Sequence, residues 1–409
     1  MITTIINARI FDGEQLIQDQ TVVIDGDQIS AVGGPVPAGS TIIDARGATL
    51  LPGLIDAHVH TSVDGLRAAL TFGVTTELEM QGSWTSAGRE QLAGRDDIAD
   101  VRSSGLAITA PDGHPHELFP GDGPPPGVSA EDIERHAHEP QAVSTPPEAV
   151  AFVDRQVANG ADYIKIMIEE GTVLGAPGLP MPSQDIIVAA VEAAHRHGKM
   201  AIAHVLTAST SLQAVDAGMN GLAHVFMDVP HTPEIVAAIV ASGVFVTPCL
   251  CLNSSIIGNT GAELAADPRV SSRLSPEWMG TLCGSFAKYP QGNLDEVMAT
   301  VLALHRAGVD ILVGTDVSVP LPFLGGLAHG ASVHHELQLL VKAGLTPVEA
   351  LRAATSVPAR RFGLTDRGRI IAGARADLLL VEGDPTTTIS DTLSIRDVWR
   401  RGVRLASRS

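Results

Sequence analysis

Five short stretches of the chain carry side chains of the kind that bind divalent metals. His58-Val59-His60 sets two imidazoles two residues apart, and on an extended strand that spacing turns both toward one face, within reach of one cation. With 15 histidines in the chain the bare H-x-H pattern is weak, so its context matters. It follows Leu51-Pro52-Gly53-Leu54-Ile55-Asp56-Ala57, an apolar run. His204, His224 and Asp316 also stand at the ends of apolar runs, where a polar side chain is costly to bury unless something binds it. Lys165 lies inside Tyr163-Ile164-Lys165-Ile166-Met167-Ile168, and a lysine there must find a partner, lose its charge or be chemically modified. The partner would be a carboxylate such as Glu77 or Glu79. The modification would be capture of carbon dioxide by a neutral amine, giving a carbamate, the bridging anion that two close metals need. The chemistry of the set is activation of water for hydrolysis.

The elements that must position these residues can be read from hydrophobic patterning. From about 53 to 363, apolar runs alternate with helical stretches, the pattern of a parallel sheet wrapped by helices. The expected strands are 54–60, 75–80, 106–110, 163–168, 200–205, 221–225, 244–250 and 310–316. Eight strands over roughly 300 residues fit an α/β fold of the (β/α)8 TIM-barrel type, whose site lies at the C-terminal strand ends. Residues 1–52 alternate apolar and polar, and 369–371, 376–381 and 398–403 look similar. Segments 1–52 and 364–409 are therefore expected to form one small β-sandwich, with the barrel at 53–363. Two long insertions, 111–145 and 252–293, fall on the active-site face.

Composition narrows the function classes. The 409 residues are 44% hydrophobic, ample for a large core. Lys plus Arg total 27 against 46 Asp plus Glu, a net charge of −19 that disfavours nucleic-acid and anionic-membrane partners. No apolar run of about 18 residues reads as a membrane span, and no secretory signal is visible. Cys249, Cys251 and Cys283 form neither a paired framework nor a zinc-ribbon spacing, so a reducing cytoplasm is expected.

In order and position, His58-x-His60, Lys165, His204, His224 and Asp316 resemble the binuclear amidohydrolases that use a carboxylated lysine, in the prolidase-like and imidazolonepropionase-like subgroup. Segments 160–167, 343–351 and 373–378 match that subgroup too, so the resemblance covers nearly the whole chain. It implies a hydrolase of C–N amide bonds (peptide-like, N-acyl amino acid or cyclic amide) or a related ester. His58, His60 and Asp316 would hold one metal and His204 and His224 the other, with carboxylated Lys165 and a hydroxide between them. Zinc is the first expectation, and manganese, cobalt or iron also suit the donors. Asp316 would carry the proton to the leaving nitrogen. His114 stands where similar enzymes carry a Gly-Gly-His segment, although here Asp112-Gly113 precedes it; His116 competes for that carbonyl-binding role.

His329 is a further candidate for substrate contact. His195 and His197 read as a helix end, where side chains two apart diverge by about 200°. His136 and His138 lie in the polar insertion, and Arg102, Lys288 and Tyr289 are candidates for binding a substrate carboxylate. A mononuclear deaminase of a small heterocycle is the alternative activity. It would use His58, His60, His204 and Asp316 with a His-x-x-Glu pattern, but the chain reads His204-Val205-Leu206-Thr207. A non-catalytic binding protein on the same fold is the other class. The expected partner is a small-molecule substrate, and a homo-oligomer stays open.

Overall fold

The computed structural model describes residues 2–82, 84–118 and 142–406. Alternating apolar and polar residues give seven opening strands, β1 (Ile2–Ile6), β2 (Arg9–Phe11), β3 (Leu16–Ile17), β4 (Val22–Asp25), β5 (Gln28–Val32), β6 (Thr41–Asp44) and β7 (Thr49–Pro52). Near the other end lie β15 (Leu378–Val381), β16 (Ile395–Arg400) and β17 (Val403–Arg404), numbered in chain order. They make two sheets, β5-β4-β1-β6 and β17-β16-β15-β7-β2-β3. The second joins both ends of the chain, with Leu379 of β15 opposite Leu51 of β7. Ile5, Ile24 and Ile29 of the first sheet share a buried cluster with Leu50, Leu378, Leu380 and Trp399 of the second. Residues 369–371 are not the strand expected of them. Turns at Gly368 and Gly373, with φ of +77° and +86°, flank them, and Ile370 donates its amide to the Asp12 carbonyl at 3.0 Å.

The intervening chain holds parallel strands β8 (Leu54–Val59), β9 (Val74–Glu79), β10 (Asp100–Ser103), β11 (Ile164–Met167), β12 (Ala201–His204), β13 (Gly221–Ala223) and β14 (Phe245–Thr247). They are ordered β10-β9-β8 and β11-β12-β13-β14. Every residue of β8, β9, β11 and β12 is buried, as in parallel strands covered on both faces. Helix Pro146–Ala158 shows how the covering elements form. Thr145 and Glu148 close a capping box, a proline opens the first turn, and Ala149, Phe152, Val153 and Gln156 are buried at helical spacing.

Backbone bonds tie the two parallel sheets together. Ile108 donates to the Lys165 carbonyl (2.9 Å) and accepts from Met167 (2.8 Å). On the other side Leu312 donates to Val246 (2.9 Å) and Ala57 to Val313 (2.8 Å), so residues 310–317, which carry isolated bridges only, still run between β14 and β8. Gly314 is needed there. A Cβ on it would lie 2.3 Å from Thr247 Cγ2 and 2.8 Å from His58 Cβ.

The third strand is Asp100–Ser103 and not 106–110, where Ile108 makes only a bridge. Its charged residues hid it, because Asp100 is paired through space with Arg367, Arg375 (3.2 Å) and Arg400 (3.8 Å) from the far end of the chain. Although burial opposes it, those guanidinium groups hold the Asp100 carboxyl well below the usual carboxylate range. Asp100→Ala is expected to lower stability by about 3 kcal/mol at neutral pH, because the buried Arg367 and Arg400 lose a counter-charge. A depressed folded-state pKa contributes stability above the unfolded value of about 3.9 and loses it as pH falls. The gap between wild type and variant in thermal unfolding should therefore narrow below that pH. A constant gap would trace the loss to packing.

The 252–293 connection is largely helical, with Leu250–Ile257, Ala262–Ala266, Pro268–Ser271 and Pro276–Leu282. Leu264, Val270 and Leu282 pack against Phe72 and Ala331, so this insertion is part of the folded body. Much of the 111–145 insertion, with His136 and His138, lies outside the described residues. Among the described residues no helix is long and apolar enough to cross a membrane.

Candidate metal centre

The pleat of β8 places His58 within the strand and His60 one step past its end, both toward Asp316. His58 Nε2 lies 2.9 Å and His60 Nε2 3.0 Å from the same Asp316 Oδ1, and His224 Nε2 lies 3.7 Å from Oδ2. Asp316 itself has φ of +59°, which aims its carboxylate back across the strand ends. Asp56 braces the arrangement. Its carboxylate accepts from the amides of His58 (3.2 Å) and Thr315 (3.1 Å) and from the Thr315 hydroxyl (2.7 Å).

This geometry suits a cation. His60 Nδ1 donates to the Gln81 carbonyl at 2.9 Å, so in the neutral ring the Nε2 lone pair points at the Asp316 oxygen. A proton on Nε2, favoured because, against the effect of burial, Asp316 and the Gln81 carbonyl raise the His60 pKa, or a bound cation removes the repulsion between these lone pairs, and a backbone carbonyl behind the ring is the usual support of a metal-binding histidine. Donors about 3 Å apart also match the edge that metal–ligand bonds of ~2.0–2.2 Å produce. His58 Nδ1, both ring nitrogens of His224 and the Lys165 ammonium are buried without a hydrogen-bond partner. Each such orphan costs about 1–3 kcal/mol unless something occupies it.

Lys165 makes neither of the ion pairs that its place in the strand allowed. Glu77 is 2.9 Å from His329, and Glu79 accepts from Ser103 at 2.6 Å. Burial instead pulls the Lys165 amine down to about 8, against the pull of Asp316. Burial first, then the lysine's charge, holds His58 down to about 4, and burial keeps His204 and His224 well below their usual range. Asp316 stays ionised: burial opposes this, but His58 and His60 hold its carboxyl well below the ordinary range.

His204 ends β12 on the same rim, its ring 5.0 Å from that of His224. Its Nε2 faces Glu169 at 3.1 Å, and its ring stacks on His114 at 4.5 Å. His114 is buried and held by Glu117 at 2.6 Å, whereas His116 is exposed on the following turn. Of the two competing histidines, only His114 therefore reaches the cluster. His329 is buried between Glu77 and the Ser318 carbonyl, with Trp278 edge-on at 5.0 Å. Its place fits a brace for Glu77 better than a substrate contact. His195 and His197 close helix Gln184–Arg196 and bond Asn220 (2.9 Å) and Asp154 (2.7 Å), away from the rim. Arg102 faces Asp162 at 3.9 Å, and the Lys288 ammonium lies over the Phe286 ring.

Two rim residues escaped the sequence reading. Glu169 follows Lys165 at the same strand parity, a signal that was available. Cys249 lies two residues past β14, and its sulfur groups with ring nitrogens of His58 and His224, all within 4.8 Å of one another.

Residues 49–405 match the model of the amidohydrolase family, and the chain belongs to that family. It is 26% identical to an imidazolonepropionase of Cereibacter sphaeroides over 97% of this chain and 94% of that protein. It is 24% identical to ochratoxinase of Aspergillus niger over 96% of this chain and 83% of that protein. The crystal structure of a Xaa-Pro dipeptidase with bound methionine in its active site superposes with a TM-score of 0.74 at 22% identity, covering both chains fully.

Proposed function

We propose that this chain, an amidohydrolase that acts on carbon–nitrogen bonds, cleaves a small amide at a centre of two divalent metals on the C-terminal rim of a (β/α)8 barrel. In this reading the barrel spans 53–363, and 1–52 with 364–409 form the β-sandwich domain. The observation that carries it is the convergence of His58 and His60 on one Asp316 oxygen beside the buried, unpartnered nitrogens of His224 and Lys165. His58, His60 and Asp316 would hold one cation, His204 and His224 the other, and Lys165 as a carbamate would bridge them. Zinc heads the candidates, with manganese, cobalt and iron behind it. Such cations, when bound, acidify water and polarise the scissile carbonyl.

The chain's own groups supply the rest. Asp316, ionised, accepts a proton from the attacking water and delivers it to the leaving nitrogen. His114, stacked on His204, would donate to the carbonyl oxygen. A Lys165 amine near 8 is partly neutral at physiological pH, so its nitrogen can attack carbon dioxide, form the N–C bond and release a proton. The small amide of this proposal is peptide-like, N-acyl amino acid or cyclic, or a related ester, and it accords with similarity to an imidazolonepropionase and to the structure of a Xaa-Pro dipeptidase. Three free cysteines support a cytoplasmic setting.

Removal of metal with a chelator is expected to abolish hydrolysis of N-acyl amino acids, dipeptides, cyclic amides and lactones, and added zinc, manganese or cobalt to restore it. Full turnover in rigorously metal-free protein would end the metal-dependent reading.

A further inference from the structure

A buried cysteine is usually a small apolar filler, and Cys251 behaves as one, its sulfur donating to the Ser332 carbonyl at 3.4 Å. Cys249 does not fit that description. It is fully buried, yet its sulfur lies within 4.8 Å of ring nitrogens of His58 and His224. Neither nitrogen of His224 makes a hydrogen bond, its Nε2 lying 3.7 Å from Asp316 Oδ2, and Nδ1 of His58 makes none either. The backbone is shaped to aim the thiol. Cys249 takes φ +52° and ψ +54°, a left-handed conformation that non-glycine residues adopt at a cost and that clusters at functional sites. The buried Glu336 holds it there, its two carboxylate oxygens accepting from the amides of Leu250 and Cys251 at 2.8 Å each. Cys249 Sγ donates only a long bond, 3.6 Å, to the Thr247 carbonyl.

We propose that Cys249 is a ligand of the metal centre: its thiolate adds a sulfur donor to one of the two cations, beside the His58 and His224 imidazoles that the two cations divide between them. The inference rests on the metal-centre reading above. On binding, the thiol would lose its proton to solvent and the metal would take the proton's place on sulfur. A soft sulfur beside two imidazoles favours zinc and cobalt over manganese, which prefers oxygen donors.

Metal-free full-length protein is reconstituted with cobalt(II) and its spectrum recorded. The expected result is a sulfur-to-cobalt charge-transfer band in the near ultraviolet that is absent in Cys249→Ser and kept in Cys251→Ser. X-ray absorption of the wild type with zinc should show a sulfur neighbour at about 2.3 Å, a readout that stands even if Cys249→Ser fails to fold. Zinc affinity of Cys249→Ser should fall on the order of 10–100-fold, the scale of losing a supporting group at a metal site. Cobalt bound without a sulfur band, and zinc without a sulfur neighbour, would overturn the assignment and leave the metal centre standing. Protein that takes up neither metal would overturn both.

Discussion

Asp316→Asn is expected to lower kcat by at least ~10²-fold, the scale of a lost general acid/base, while the fold and most of the bound metal remain. Asparagine keeps an oxygen where His58 and His60 converge at 2.9 and 3.0 Å, so a purely positional role would survive the change. What it removes is the negative charge. The carboxyl is held well below its usual range, against the effect of burial, by His58 and His60, and so is ionised throughout the neutral range. Steady-state kinetics with metal analysis and a melting curve separate the causes. Near-normal turnover would move the base elsewhere, with Glu169 against His204 the next carboxylate to replace.

Lys165→Ala is expected to reduce bound metal from about two per chain and nearly stop hydrolysis, since a carbamate there would supply the bridge. The buried lysine has no hydrogen-bond partner, and the carboxylates once considered for it are engaged by His329 and Ser103. The truncation opens space in which formate or acetate can sit, so either anion should partly restore both metal and rate. A lysine serving as half of a buried ion pair predicts the contrary, a stability loss on the order of 3–5 kcal/mol with no anion rescue. Metal content, Tm and rate with and without acetate decide the matter. A wild type with one metal, and a variant that keeps both that metal and its activity, would rule out the two-metal centre.

Much of the positioning was legible in the chain because it is local. The two-residue spacing of His58 and His60, and the place of His204 and His224 at the ends of apolar runs, follow from the pleat, which sets the facing of neighbours without reference to the rest of the fold. The helix Pro146–Ala158 announces itself through Thr145, Glu148 and its apolar spacing. Strand β10 was misplaced for the opposite reason. Asp100 reads as a surface charge until Arg367, Arg375 and Arg400, more than 260 residues away, are brought against it.

The sequence by itself thus determined the family, the alternation of strands and helices, and which residue types reach the rim. Only the tertiary structure decided who faces whom there: that Glu77 answers His329 and not Lys165, that His114 rather than His116 stacks on His204, and that Cys249 turns toward His58 and His224. The physical reason is register. Facing along one strand repeats every two residues, but contacts between strands depend on how segments far apart in sequence are staggered. At Cys249 and Asp316 they depend also on left-handed turns, whose direction is set by Glu336 and Asp56 from elsewhere in the chain.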